Sequence, residues 1–310
     1  MKILITGGAG YIGSILTPFL LDNEHDVTVL DNISYKQSSL LECCYRENFE
    51  FIKGDARDVS LLRKIVPQFD VIIPLAAVVG APACDKDPLL ATSINLDAVV
   101  AINTIRSKSQ WVLYPTTNSG YGVGEENVFC TEETPLRPIS LYGRTKVQAE
   151  QALLESENVI TFRLATVLGL SPRMRLDLMV NDFTHRAIRD RFIVLFEENF
   201  MRNYIHIRDV ARVFLFGIGN FERMKNRPYN VGLSSANLSK RQLCEKIKEH
   251  LPDFAIYSSS MGKDPDQRNY VVSNERIEQA GWRPKYSLDD GIKELIKGYK
   301  ILNTWNFTNL

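Results

Sequence analysis

The tightest constraint in this sequence is the run Gly7-Gly8-Ala9-Gly10-Tyr11-Ile12-Gly13. It stands directly after a short apolar stretch, Lys2 to Thr6, and directly before an amphipathic one, Ser14 to Asp22. Glycines spaced GxxGxxG between a strand and a helix allow a turn too tight for side chains. They also let an anion approach the amides at the helix N-terminus. A second β-branched run, Val27 to Leu30, ends in Asp31, about twenty residues on, where a dinucleotide fold places an acid against a ribose. The Asp31 carboxylate can accept from both ribose hydroxyls and repels a 2′-phosphate, so NAD is expected over NADP. Nearby Lys36 softens that exclusion.

The same rhythm continues. Phe49 to Ile52, Val71 to Ile73, Trp111 to Tyr114 and Val159 to Phe162 read as further strands, with helical patterns over 61–66, 88–105 and 142–154 between them. Continuous apolar strands of this kind belong to a parallel sheet covered on both faces. The expected fold is therefore α/β, a Rossmann doubly wound parallel sheet over residues 1–168. Residues 169–310 are expected to form a smaller, interleaved C-terminal substrate lobe, with segments around 200–230 returning to the first unit. From 171 to 191 the chain reads as basic and irregular; helices are expected over 209–220, 240–250 and 288–299.

Lys plus Arg equals Asp plus Glu, at 37 each among 310 residues, which gives no general attraction to nucleic acid or an anionic membrane. The five cysteines form no CxxC pair and no metal-ligand spacing, so reduced thiols and no metal site are expected. No signal peptide is visible, and no apolar stretch is expected to reach the length of a membrane span. A soluble, cytoplasmic protein is the expectation.

Tyr142 and Lys146 stand at i and i+4, on one face of a helix. A free tyrosine has a pKa of ~10; bringing it to ~7 takes about 4 kcal/mol, which nearby positive charge in a partly dry site can supply. Upstream, Pro115-Thr116-Thr117-Asn118-Ser119-Gly120-Tyr121-Gly122 is expected to form a loop after the strand ending at Tyr114, at the carboxyl edge where open α/β sheets bind ligands.

With these pieces in place the chain resembles the extended short-chain dehydrogenase/reductase family of sugar-nucleotide epimerases, dehydratases and dehydrogenases. The resemblance spans nearly the whole chain and adds Gly54-Asp55-Ala56, Leu75-Ala76-Ala77, Asn95, Arg163, Tyr204-Ile205-His206 with Asp209, Tyr229 to Gly232, Arg268 and Gly281 to Pro284. It implies a catalytic set of Thr117, Tyr142 and Lys146: Thr117 bonds the reacting sugar oxygen, Tyr142 moves its proton, and Lys146 tunes Tyr142 and holds the nicotinamide ribose. It implies NAD contacts from Gly7, Gly10, Tyr11, Ile12, Gly13, Asp31, Asn32, Asp55, Ala56, Leu75, Ala76, Ala77 and Asn95, besides Tyr142 and Lys146. Substrate contacts are implied for Thr117, Asn118, Ser119, Arg175, Asn181, Arg202 and Arg268. Arg268 is the expected diphosphate clamp, since guanidinium matches phosphate bidentately. A homodimer is also implied.

Two departures narrow the chemistry. Asn118 and Ser119 stand where 4,6-dehydratases carry acids, so elimination of water is disfavoured. Val194 to Phe200 replaces the usual glycine-containing loop that helps hold the nucleotide base, which leaves the base unassigned by the general pattern. Val79 to Pro82, Thr117 to Gly122, Ser171 to Leu178 and Leu233 to Leu238 resemble a narrower group, bacterial GDP-D-glycero-D-manno-heptose 4-dehydrogenases of capsule biosynthesis. That resemblance implies C4 oxidation of a GDP-heptose. A sugar-nucleotide 4-epimerase using the same residues, and a non-catalytic NAD-binding regulator on the same fold, stay open at this point.

Replacing Asp31 with alanine is expected to weaken NAD binding by about 1.5–3 kcal/mol, the range for hydrogen bonds to a charged group, and to harm NADP binding less. Calorimetric titration with both cofactors checks this; equal losses would remove Asp31 from the ribose.

Overall fold

The computed structural model describes residues 1–125, 128–259 and 268–302. The glycine turn joins strand β1 (Lys2–Thr6) to helix α1 (Gly13–Asp22). There follow β2 (Asp26–Asp31), β3 (Phe49–Lys53), α2 (Val59–Ile65), β4 (Val71–Pro74), α3 (Ala81–Lys86), α4 (Pro88–Thr92), a π-helical turn over Ser93–Asp97, and α5 (Ala98–Ile105). Next come β5 (Trp111–Thr117), β6 (Phe129–Cys130), α6 (Leu141–Leu154), β7 (Val159–Leu164) and β8 (Thr166–Leu168). The remainder holds α7 (Met179–Arg189), β9 (Phe192–Phe196), β10 (Met201–His206), α8 (Ile207–Gly219), α9 (Phe221–Met224), β11 (Arg227–Val231), β12 (Asn237–Ser239), α10 (Lys240–His250), β13 (Ala255–Ser259), β14 (Val271–Val272), α11 (Glu275–Gln279) and α12 (Leu288–Gly298).

Seven strands form one parallel sheet in the order β11-β7-β5-β4-β1-β2-β3. This is the doubly wound Rossmann-type arrangement. The order reverses between β1 and β4, which opens a crevice at their carboxyl ends. Alternation along the strands feeds two cores. Ile3, Ile5, Val27 and Val29 pack with Leu16 and Leu20 of α1 and Val213 and Phe214 of α8. Leu4, Leu30 and Ile72 pack on the other face with Leu62, Val99, Ile102, Ala149 and Leu153. Smaller sheets, β12-β10-β8, β13-β9 and β14-β6, carry the rest of the second half. Asp209, fully buried at the start of α8, accepts from the amides of Lys285 and Tyr286 at 2.9 Å each and so ties the chain before α12 to the body.

Three expectations change. First, β5 runs to Thr117 rather than stopping at Tyr114. Pro115 is tolerated because β4 pairs β5 only at Trp111 and Val112, leaving the later part of β5 edge-like on that side. Second, the stretch read as irregular contains α7, whose buried face carries Asn181, Thr184 and His185 beside Val180 and Ala187. Third, Pro88–Ile105 is long and apolar enough, by length and composition, to cross a membrane, contrary to the expectation that no stretch would be. It is broken by the π turn and packs on the sheet through Val99 and Ile102.

Candidate active site

Gly7 has a left-handed φ of 71°, and a Cβ there would lie 2.5 Å from the Ala76 backbone. A Cβ on Gly13 would strike the Gly8 carbonyl at 2.3 Å. Both glycines are demanded by packing. Gly10 is different: a Cβ would meet only the Gly7 carbonyl, at 3.1 Å, so close ligand approach accounts for it better than packing does. Ser14 donates to the Gly10 carbonyl, and Ile15 and Leu16 donate to that of Ile12. The N–H groups of Tyr11, Ile12 and Gly13 have no backbone acceptor among the described residues, as is normal for a first helical turn that receives an anion.

Asp31 ends β2 beneath this turn and is 7% exposed. Its carboxylate accepts from Ala9 N at 3.0 Å and Ile33 N at 2.8 Å. Burial nevertheless raises its pKa above the usual carboxylate value. Each oxygen keeps a lone pair for a ribose hydroxyl. Asn32 accepts from Ser34 N at 3.0 Å and so shapes its own loop. Asp55 is held by Arg57 through both oxygens, at 3.0 and 2.7 Å, which lowers its pKa; Ala56 beside it is buried. Leu75, Ala76 and Ala77 follow β4 half-buried against the turn. The fully buried Asn95, in the π turn, exchanges hydrogen bonds with both backbone groups of Val78, at 2.8 and 2.9 Å, and reaches Thr145 at 3.3 Å. Its amide thus fixes the loop after Ala77. The glycine turn, Asp31 and the β4 loop together suit a dinucleotide.

The Ser140 hydroxyl caps α6 by accepting from Gly143 N at 3.1 Å, which sets the register that places Tyr142 and Lys146. The Thr117 side chain lies near the Tyr142 hydroxyl and pulls its pKa down slightly. Thr117 in turn donates to Ser119 Oγ at 2.8 Å and accepts from Ser119 N at 3.1 Å. The Arg268 guanidinium donates to the same Ser119 Oγ. Thr117, Ser119 and Arg268 therefore form one connected cluster beside Tyr142, although Arg268 lies far along the chain. Asn118 is 1% exposed, and neither end of its amide has a partner among the described residues.

Burial raises the Tyr142 pKa, against which Arg175 and then Arg268 act most strongly, with the Thr117 side chain adding a smaller pull. The sequence expectation that Lys146 brings Tyr142 down is not met in the free protein. The Lys146 ammonium sits 3.9 Å over the Tyr114 ring, 4% exposed, and burial lowers its pKa to about 7 despite the opposing charge of Glu150. Arg175 is buried and paired with Asp177 at 2.5 Å. The Asn181 amide is committed to structure: it donates to Tyr11 Oη at 3.2 Å and to the Arg175 carbonyl at 2.9 Å, and it accepts from Gly169 N at 3.1 Å. Arg202, fully buried, donates to the Met201 carbonyl at 2.9 Å and to that of Arg268, which steadies the Arg268 backbone.

Sequence reasoning missed how residues 169–173 cross the glycine turn. Tyr11 Oη donates to the Gly169 carbonyl at 2.7 Å, Ser171 Oγ donates to the Tyr11 carbonyl at 2.8 Å, and Ser14 and Ser171 share a bond at 2.7 Å. The Arg173 guanidinium lies 4.4 Å from the centre of the Tyr35 ring, in the loop after Asp31. It also missed Glu150, whose signal was its position one helical turn beyond Lys146. The five cysteines are free, and no group of potential metal ligands occurs among the described residues.

A family model described as the NAD dependent epimerase/dehydratase family matches residues 3–232. The chain belongs to this family. NAD is the family's cofactor. The low-salt glycan biosynthesis protein Agl12 of Haloferax volcanii is 27% identical, with 96% of this chain and 98% of that protein covered. A putative UDP-glucose 4-epimerase of Methanocaldococcus jannaschii is 26% identical over 97% and 99%. Among solved structures, UDP-glucose 4-epimerase of Thermus thermophilus in complex with NAD superposes with a TM-score of 0.82 at 23% identity, covering 97% and 99%. That likeness supports the fold.

Lys146 gives a stability test. It titrates at about 7 folded and at ~10.4 unfolded. Between those values the unfolded chain holds the extra proton, so stability rises with pH across this window and the cost of the buried ammonium is full below it. Lys146→Met removes that cost. The variant is expected to exceed wild type in stability most at about pH 6–7, with the gap closing toward about pH 10. Urea unfolding across this range checks it; a pH-independent gap would contradict the buried ammonium.

Proposed function

We propose that the protein uses NAD to oxidise the C4 hydroxyl of a nucleotide sugar, with GDP-D-glycero-D-manno-heptose as substrate. The 4-keto product would serve capsule polysaccharide biosynthesis in the cytoplasm. The observation that carries this reading is Tyr142 beside Thr117, one helical turn from Lys146, with no carboxylic acid at Asn118 or Ser119. Thr117 orients the sugar hydroxyl and Tyr142 takes its proton; neither neighbour can drive elimination of water. The narrower resemblance of Ser171 to Leu178 and Leu233 to Leu238 supports the heptose.

NAD supplies the hydride acceptor. The amides of Tyr11, Ile12 and Gly13 hold its pyrophosphate, with Gly7 and Gly10 giving access. Asp31 and Asn32 hold the adenosine ribose, Asp55 and Ala56 the adenine, and Leu75, Ala76 and Ala77 line the crevice fixed by Asn95. Lys146 holds the nicotinamide ribose, leaving the Tyr114 ring to do so. Arg268 grips the diphosphate on leaving Ser119, which frees that hydroxyl for the sugar beside Asn118. Arg175 opposes the burial of Tyr142, and Asn181 and Arg202 act through the backbone they hold.

A second reading, a 4-epimerase that returns the hydride to the opposite face of C4, is favoured by the crossing of residues 169–173 over the glycine turn. The Arg173–Tyr35 stack would slow cofactor exit. The relative from Methanocaldococcus jannaschii, named a putative UDP-glucose 4-epimerase, adds weight.

We also propose a homodimer. Leu89 is 84% exposed and Val100 lies on the open face of α5 within an apolar stretch, and a second copy would cover them. Val100→Glu should then sediment as a monomer; an unchanged profile would place the interface elsewhere.

Tyr142→Phe is expected to lower turnover at least ~10²-fold while leaving NAD binding nearly intact; substantial residual activity would remove the proposed base. Substrate carrying deuterium at C4 separates the two readings. Deuterium on the cofactor with a 4-keto sugar supports the dehydrogenase, and deuterium returned to an inverted C4 leaves the epimerase.

A further inference from the structure

Behind the reacting groups lies a buried polar layer that the proposed chemistry does not use. The registers Tyr114↔Thr161 and Thr116↔Arg163 put these four residues on one face of β5 and β7. Lys146 and Glu150, four residues apart on α6, share one helix face and are both buried. Arg163 donates to Glu150 Oε1 through Nε and Nη2, at 2.8 Å each. Its Nη1 donates to Tyr121 Oη at 3.1 Å and to the Glu132 carbonyl at 3.0 Å. Tyr121 donates onward to Asn230 Oδ1 at 2.7 Å, and the Glu132 carboxylate is occupied by Asn230 N at 2.7 Å.

Arg163 is thus anchored from three sides and pins one oxygen of Glu150. The other oxygen, Oε2, is buried without a partner among the described residues, as are the hydroxyls of Tyr114, Thr116 and Thr161. A close-packed interior rarely leaves four such atoms in one layer without partners, so they mark where neighbouring charge or solvent is met. The cation available to Oε2 is Lys146. The ionisable groups facing this pair are Tyr114 from β5, Arg163 from β7, Tyr121 from the turn after β5, and Tyr142 on α6. Of these groups Glu150 is the carboxylate bonded to Arg163.

The geometry points to Glu150 as the positioning residue of Lys146: a carboxylate locked by Arg163 that keeps the lysine an ammonium over the Tyr114 ring. It touches neither substrate nor cofactor and acts through Lys146. This inference rests on Lys146 serving the proposed active site, but its test does not need the substrate. Burial alone draws the Lys146 proton off, and Glu150 opposes that loss. The sign follows: without the carboxylate, Lys146 becomes neutral at lower pH.

The measurement is a carbon NMR titration of lysine side chains in the full-length protein, with the Lys146 resonance assigned by its loss in Lys146→Met. Wild type is expected to titrate at about 7. Glu150→Gln should move the midpoint down by about one unit or more, whereas Glu150→Asp, which keeps the charge, should restore most of it. In turnover, Glu150→Gln should lower kcat about tenfold or more at neutral pH and shift the alkaline limb of the kcat profile downward. KM for the sugar nucleotide should stay within about twofold. If Glu150→Gln leaves Arg163 a buried, unpaired charge that prevents folding, the double variant Glu150→Gln with Arg163→Gln removes both charges and carries the same titration. A folded variant whose Lys146 midpoint equals that of wild type overturns the inference and leaves the Glu150–Arg163 pair a packing feature. An active Tyr142→Phe would instead sink the proposed base, whatever Lys146 does.

Discussion

The close approach of Gly7 to the Ala76 backbone is the contact on which the rest of this structure depends. With no Cβ at Gly7, the turn after β1 lies directly on the chain leaving β4. Gly13 lets α1 settle against Gly8 in the same way. Because the strand order reverses between β1 and β4, this single approach brings the ends of β2, β4 and β5 around one crevice. A side chain of any size at either glycine would push α1 off the sheet and separate Asp31 from the loop after β4.

The chemistry of the site is set by what happens to charge when it is taken out of water. Tyr142 is pushed up and Lys146 down, so in the free protein burial works against both a phenolate and an ammonium. The protein answers with charges held at fixed places. Arg175 and Arg268 act on Tyr142, and Glu150, locked by Arg163, acts on Lys146. A buried ion pair adds little net stability once desolvation is counted. Its value here lies in holding a fixed potential beside two buried titratable groups.

Much of the fold was legible because local pattern and global arrangement agree. Apolar runs bounded by glycine and polar residues became the central strands, and the 3.6-residue period found α6, α8, α10 and α12 within one or two residues of their ends. The misreadings have physical causes. Pro115 followed by Thr, Asn, Ser and Gly carries turn chemistry, yet the strand continues because β4 has already ended beside it. In α7 the apolar residues Val180, Phe183, Ala187 and Ile188 do recur at helical spacing. They are interleaved with Asn181, whose amide is spent on Tyr11, Gly169 and Arg175, and with charged residues that make the stretch read as irregular.

What the sequence determined by itself is therefore local and periodic: the glycine turn, the acid ending β2, the doubly wound order of elements, and Tyr142 and Lys146 on one helix face. Each follows from spacing, because backbone geometry converts spacing into direction. What only the tertiary structure decided is which distant side chains meet. Arg268 reaches Ser119, Tyr11 reaches Gly169, Arg173 covers Tyr35, and Lys146 turns onto Tyr114 rather than toward Tyr142. Such pairings join residues on different elements. They are chosen by packing and by the need to satisfy buried polar groups, conditions that exist only once the chain has closed on itself.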